Sequence, residues 1–346
     1  MRAFYHPAQA AHDPRQFMRH GRIVQPKDVP ARTATLMQAL HGLGIPVTVP
    51  EGDHDDARLA VHTKGFVEYL ATAWDRWQQL PDHGPEVWPN TFPYWSGRPE
   101  DPARPECPAE HLIAQTGWYL GDLSVSMGPE TWDSIRASSN SVVAAADAVA
   151  AGREPVYALC RPSGHHARSD RASGFCFLNN TAIAAERLRA TFASVAILDV
   201  DAHHGDGTQQ IFYSREDVLT VSIHADPANY YPFFTGYPEE RGHAHGEGFN
   251  LNLPLAHGAA ADAVFAAVDR AVDVIDAFHA DALVVALGFD AHARDPIGVL
   301  KLTADDFAGI ALRIRSLGLP TLVVQEGGYA IDDIGDCLSA FLGALQ

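Results

Sequence analysis

The chain has 346 residues, 47% of them hydrophobic, which suffices for one large α/β domain or two small ones. Its formal charge of −18, from 25 basic and 43 acidic residues, argues against nucleic acid as a partner, since that needs a basic footprint. No run reaches the ~18 apolar residues of a membrane span, and the opening MRAFYHPAQA has no apolar core of signal-peptide length.

In chain order, short apolar runs predict strands at Arg2–Tyr5, Val156–Cys160, Val195–Val200, Val218–His224, Leu283–Leu287 and Thr321–Val324. Longer amphipathic or alanine-rich runs predict helices at Arg32–Leu43, Gly65–Gln79, Thr131–Ala151, Asn180–Thr191, Ala260–Phe278, Thr303–Leu317 and Asp333–Leu345. Strands apolar along their whole length, alternating with helices, imply a mainly parallel sheet covered on both faces. The segment 80–111 breaks this rhythm. It is dense in proline and carries Trp88, Phe92, Tyr94 and Trp95, which suits a lid over a site or a contact between subunits. Cys107, Cys160, Cys176 and Cys337 form no CxxC pair, so a reducing, cytoplasmic setting is expected.

In parallel sheets, ligands bind beyond the carboxyl ends of the strands. Here VYALC runs into RPSGHH, VAILDV into DAHHGDG, LTVSI into HADP, LVVAL into GFDAHARDP and TLVV into QEGGY. One polar strand ending is chance, whereas five argue for a site. Asp199 and Asp201 are two apart and share a strand face. Asp201 and His203 can approach one cation from one side, and Asp290 can complete the set from another strand. Two carboxylates and an imidazole, with room for water, suit catalytic zinc or another divalent first-row metal. The tandem His165–His166 lacks partners in sequence, and Asp199 and Asp206 remain unassigned. Two Asp–His dyads beside a metal would be acid–base equipment for hydrolysis. Tyr329, after two glycines, is placed to donate a hydrogen bond to a polarised carbonyl oxygen.

Taken together, RPSGHHA, GFCFLNN, DVDAHHGDGTQ, LGFDAHARDP and EGGY resemble the histone deacetylase superfamily in order and spacing, over nearly the whole chain. HADPANYYPFFTGY, ATAWDRW at 71–77, the proline-rich segment and EGGYAI are more narrowly similar to the bacterial acetylpolyamine amidohydrolases. The resemblance implies a single arginase/deacetylase-like α/β domain with a mainly parallel eight-stranded sheet. It implies one zinc per subunit on Asp201, His203 and Asp290, and a structural potassium at Asp199, Asp201, His203 and Ser222. His166 would be the general base and then acid, supported by Asp206. His165, supported by Asp199, would be its electrostatic neighbour, and Tyr329 would polarise the acyl oxygen. Phe175 and Tyr231 would wall a tunnel, and the Gly174 carbonyl would accept the substrate amide N–H. The implied substrate is a small cationic acetylated amine, and the implied assembly a homodimer or larger homo-oligomer.

The chain departs from the pattern at several points. Pro-Ser-Gly replaces Pro-Pro-Gly, and Tyr231 stands where phenylalanine is common. The acids that hold the distal ammonium in the polyamine subgroup fall here on Ile113 and Ser124, while Glu106, Glu110 and Asp122 lie nearby without matching. The main alternative is a protein acetyl-lysine deacetylase with an open mouth. A ureohydrolase would need a further acid where His292 stands, and a non-catalytic metal-binding protein would have no use for both dyads and Tyr329.

Overall fold

The computed structural model describes residues 1–94, 104–152 and 154–346. The strands are β1 (Arg2–Phe4), β2 (Phe17–Arg19), β3 (Arg22–Val24), β4 (Val47–Thr48), β5 (Val156–Ala158), β6 (Val195–Asp199), β7 (Val218–Ala225), β8 (Asn250–Leu255), β9 (Ala282–Leu287) and β10 (Thr321–Gln325). The helices are α1 (Ala31–Gly42), α2 (Asp55–Leu59), α3 (Lys64–Trp77), α4 (Leu112–Tyr119), α5 (Thr131–Gly152), α6 (Asn180–Arg189), α7 (Asp206–Phe212), α8 (Ala261–Phe278), α9 (Ala304–Arg315) and α10 (Ile334–Leu345).

Eight strands form one sheet in the order β4-β1-β5-β10-β9-β6-β7-β8, every neighbouring pair parallel. Successive side chains on a strand alternate between faces, and the two faces feed separate cores. Ala196 and Leu198 of β6 and Leu283 and Val285 of β9 pack under α1, α8, α9 and α10. Val195 and Ile197 of β6 and Ala282 and Val284 of β9 pack under α3, α5 and α6 on the other side. Burial on both faces is why these strands read as unbroken apolar runs. Truncating Leu283, which is fully buried, would cost about 2–5 kcal/mol.

All six strands expected from the sequence form, with ends shifted by one or two residues. β4, β8 and the β2–β3 hairpin lay outside that reading, as did the short helices α2, α4 and α7. β8 (NLNLPL) borders the sheet, bonding only to β7, and an edge can accept Pro254 and alternating asparagines. The proline-rich segment is partly tethered. Val87 bridges Met127, and the Trp88 indole donates to the Leu123 carbonyl at 3.3 Å. Phe92 and Tyr94 are exposed, and Trp95, with residues 96–103, lies outside the described residues. Among the described residues no helix is long and apolar enough to cross a membrane.

Candidate active site

The carboxyl ends of β5, β6, β9 and β10 meet at the floor of a 410 Å³ cavity. β6 delivers Asp199 as its last residue, and the chain turns through Asp201 and His203 before Asp206 opens α7. Asp290 follows β9, and the Glu326–Tyr329 turn follows β10. The strands differ widely in sequence position, yet adjacency in the sheet brings their ends together.

Asp201, His203 and Asp290 offer ligand atoms that all lie within 4.8 Å of one another, and all three are buried. His203 Nδ1 is 2.8 Å from Asp290 Oδ2 and 3.2 Å from Asp201 Oδ1. Backbone N–H groups aim the carboxylates. Ala202 donates to Asp290, while His203 and Gly327 donate to Asp201, each at 2.8–2.9 Å. A Cβ on Gly327 would sit 2.5 Å from a carboxylate oxygen of both Asp201 and Asp290, so only glycine lets the backbone come this close. Burial and the charge of Asp201 push Asp290 up to about 7, and burial opposed by both aspartates leaves His203 at about 10. Two fully buried carboxylates share one imidazole, a deficit of positive charge that a divalent cation fits.

Two dyads lie alongside. His165 Nδ1 is 2.9 Å from Asp199 Oδ2, and His166 Nδ1 is 2.8 Å from Asp206 Oδ1. The two imidazoles pack against each other with centroids 4.0 Å apart and their planes tilted by 46°. Burial, reinforced by the charge of His165, lowers His166 to about 4. Burial works against protonation of His165 too, but Asp199 and Asp201 outweigh it and raise that imidazole well above its usual value. The turn carrying the pair is held by Asn179, which caps α6 through Ala182 N and donates to the Ala167 carbonyl at 2.9 Å. Glu326 holds it from β10, accepting from Gly164 N at 2.6 Å and His165 N at 3.1 Å. A second trio, His165, Cys176 and Glu326, is equally close, but Glu326 also accepts from Thr181 Oγ1, so both its oxygens are taken.

Tyr329 lines the cavity, and burial pushes its phenol well above the usual range, so it remains an O–H donor. Its backbone N–H donates to Asp295 at 2.7 Å. Phe175 and Tyr231 both line the cavity. The Phe175 ring is 5.8 Å from Tyr329, and the Tyr231 ring meets His166 edge-on at 4.9 Å. Gly174 and Phe175 both take left-handed backbone, φ 56° and 66°, an uncommon state for phenylalanine that turns its ring into the tunnel. The Gly174 carbonyl already receives the Cys176 thiol at 3.4 Å. Ser222 faces Asp199 in the β6–β7 register and meets His224 Nδ1 at 2.8 Å. His292 stays outside the Asp201–His203–Asp290 group and sits 3.8 Å from Asp333.

Several contributors escaped sequence reasoning. Tyr230 stacks flat on His203, with centroids 4.5 Å apart and 15° between planes. Arg168 shares Asp206 with His166. Arg32 donates to the carbonyls of Glu326 and Gly328 and lies over the Tyr329 ring at 4.8 Å. Asp122, which matched no family position, lines the cavity and accepts from the Tyr231 hydroxyl at 2.7 Å. The β2–β3 hairpin supplies Phe17, Met18, Arg19 and His20 to the mouth. Of the positions aligned with the subgroup's distal acids, Ser124 lines the mouth and Ile113 does not. Glu106 faces a different cavity, where it accepts from Tyr119 and Gly65.

The histone deacetylase domain model matches residues 26–345. An acetylpolyamine amidohydrolase of Burkholderia pseudomallei is 43% identical over 99% of this chain and 98% of its own. Acetylpolyamine amidohydrolase 1 of Pseudomonas aeruginosa is 40% identical over 89% of this chain and 88% of its own. The crystal structure of the acetylpolyamine aminohydrolase from Burkholderia pseudomallei superposes with a TM-score of 0.93 at 43% identity, covering 100% of this chain and 98% of that one. The HDA15 HD domain gives 0.80 at 25% identity, covering 99% and 88%. By family model and full-length relatives alike, this chain belongs to the histone deacetylase family.

Proposed function

We propose that the protein hydrolyses N-acetylated polyamines and related small primary amines to acetate and free amine. The observation that carries this reading is the convergence of Asp201, His203 and Asp290 beside two Asp–His dyads at the floor of a narrow cavity. The names of the full-length relatives agree with it.

Asp201, His203 and Asp290 would hold one zinc, or another divalent first-row ion, which supplies Lewis acidity toward the acyl oxygen and the attacking water. The chain's own residues do the rest. Asp206 and Arg168 fix His166 with Nδ1 toward the carboxylate, leaving Nε2 to take a proton. A low value keeps His166 neutral and ready as a base near pH 7. His165, paired with Asp199, carries positive charge next to it and favours delivery of the proton to the departing amine. Tyr329, which lines the same cavity, would donate to the oxyanion. Phe175 and Tyr231 sheathe the alkyl chain and exclude water, and the second lone pair of the Gly174 carbonyl is available to the amide N–H.

We also infer a structural potassium at Asp199, Asp201, His203 and Ser222, since oxygen donors suit a hard cation. The exposed Phe92 and Tyr94 support a homo-oligomer in which the proline-rich segment borders the mouth. The unpaired cysteines support a cytoplasmic setting. Acetate release from N-acetylputrescine, N-acetylcadaverine and an acetyl-lysine peptide, with metal-loaded and chelated protein, tests the reading. Turnover of the small amines by loaded protein alone is the expected result. No acetate from any of them would overturn it.

A further inference from the structure

The mouth of the cavity carries an unusual charge set for a site that takes cationic amines. Among the described residues its one lining carboxylate is Asp122. Both oxygens of that carboxylate are engaged, with Tyr231 Oη and Gly174 N on one and Ser124 N and Oγ on the other. The β2–β3 hairpin presents Arg19 and His20 to the same mouth. The hairpin is fixed in place. Arg19 pairs with Arg22 across a two-residue His20-Gly21 turn in left-handed backbone, and the Met18 N–H donates to the Leu123 carbonyl at 3.2 Å. That bond joins the immediate neighbours of Arg19 and Asp122, so guanidinium and carboxylate flank the same opening. Arg19 is exposed and has no ion-pair partner among the described residues. In a chain of net charge −18, a free cation at the entrance works against long-range attraction of amines.

We propose that Arg19 is a specificity-determining residue that reads the charge of the substrate's protruding end. It disfavours each additional ammonium and favours a carboxylate, so that the mouth complements the α-amino acid head of a free acetylated diamino acid. Asp122 attracts the α-ammonium while Arg19 attracts the carboxylate beside it. A diamine end meets one attraction and one repulsion, and a triamine end brings a second ammonium against the same guanidinium. The chemistry is unchanged: water adds to the acyl carbon, the C–N bond breaks, and acetate and the free diamino acid leave. The inference rests on the deacetylase reading above and narrows its substrate class.

Two compounds isolate the effect, because N-acetylcadaverine and Nε-acetyl-lysine differ only by the carboxylate. kcat/KM would be measured for both, and for N8-acetylspermidine, on metal-loaded wild type, Arg19→Ala and Arg19→Glu at low and moderate salt. Wild type should hydrolyse acetyl-lysine at least as well as acetylcadaverine, with acetylspermidine last. Arg19→Ala should lower the lysine-to-cadaverine ratio by about three- to fivefold, the scale of one exposed charge pair. Arg19→Glu should lower it further and lift acetylspermidine, and salt should compress every difference. A ratio unmoved by Arg19→Glu, or a wild type that cleaves acetylcadaverine and leaves acetyl-lysine intact, overturns the inference alone. No acetate from any of the three removes the deacetylase reading and the inference together.

Discussion

Tyr231 donates its hydroxyl to Asp122 at 2.7 Å, tying the tunnel wall beside His166 to the loop at the mouth. Phenylalanine at 231 would keep the edge-on contact with His166 and lose the hydroxyl's tether to Asp122 together with its interaction with Ser173. Removing a hydrogen bond to a charged acceptor costs about 1.5–3 kcal/mol at most, and less here because Asp122 keeps its other donors. Tyr231→Phe is therefore expected to raise KM for small acetylated amines severalfold and leave kcat nearly unchanged. Steady-state kinetics would show the split, and a collapse of kcat with constant KM would count against it.

Tyr329 lines the same cavity as His165 and His166 and stays a protonated donor. Tyr329→Phe should retain bound metal and lose about 10²–10³ in kcat, the usual loss for one oxyanion donor. Metal analysis and turnover on the same preparation test this, and an unchanged rate would remove Tyr329 from the reaction.

Chelation should abolish turnover and lower the melting temperature, because Asp201 and Asp290 then share only the His203 imidazole. One equivalent of zinc per chain should restore both. A requirement for two equivalents would point instead to a binuclear centre, which the position of His292 away from the cluster opposes.

Glu326 holds the tandem-histidine turn through Gly164 N, His165 N and Thr181 Oγ1. Alanine there strands two buried N–H groups at about 1–3 kcal/mol each, so Glu326→Ala should melt early and turn over poorly. Glutamine can still accept from both N–H groups and donate to Thr181. Glu326→Gln should recover most of the lost stability, and equal melting of the two variants would contradict the role.

Asp28 is buried between two buried arginines, 2.7 Å from Arg32 and 2.9 Å from Arg161. Burial alone would raise its carboxyl, but Arg161 and Arg32 outweigh it and hold the value at about 2. A depressed folded value stabilises above the unfolded pKa near ~4 and is lost as pH falls toward the folded one. Asp28→Asn should cost about 3–5 kcal/mol at pH 7, since it leaves buried guanidinium charge uncompensated. The gap to wild type should shrink between pH 4 and pH 2. Denaturant titrations at several pH values would show it, and a constant gap would mean the pair contributes no pH-dependent stability.

Much of the fold and site was legible because the central strands are buried on both faces and end in polar clusters. Unbroken runs such as VAILDV announce a parallel strand, and their endings mark one rim. The sequence pattern singled out Asp201, His203 and Asp290, and the structure brings them together. Ring stacking was not legible. Nothing in YY says that Tyr230 will lie on His203 while Tyr231 faces His166. Nor did a one-dimensional pattern show that Arg32 would reach the Glu326 and Gly328 carbonyls from helix α1. The hairpin at 17–24 and edge strand β8 are short and half-polar, so they carry little periodic signal. Their importance lies in where tertiary packing puts them, as Arg19 at the mouth illustrates.

The three groups proposed to hold the metal come from two strands whose ends are far apart along the chain, and the turn that braces them follows later still, at Gly327. During synthesis, the proposed three-ligand site would therefore stay incomplete until nearly all of the chain has been made and β9 and β10 have docked. Loading of the proposed site would then report a completed fold rather than help to start one.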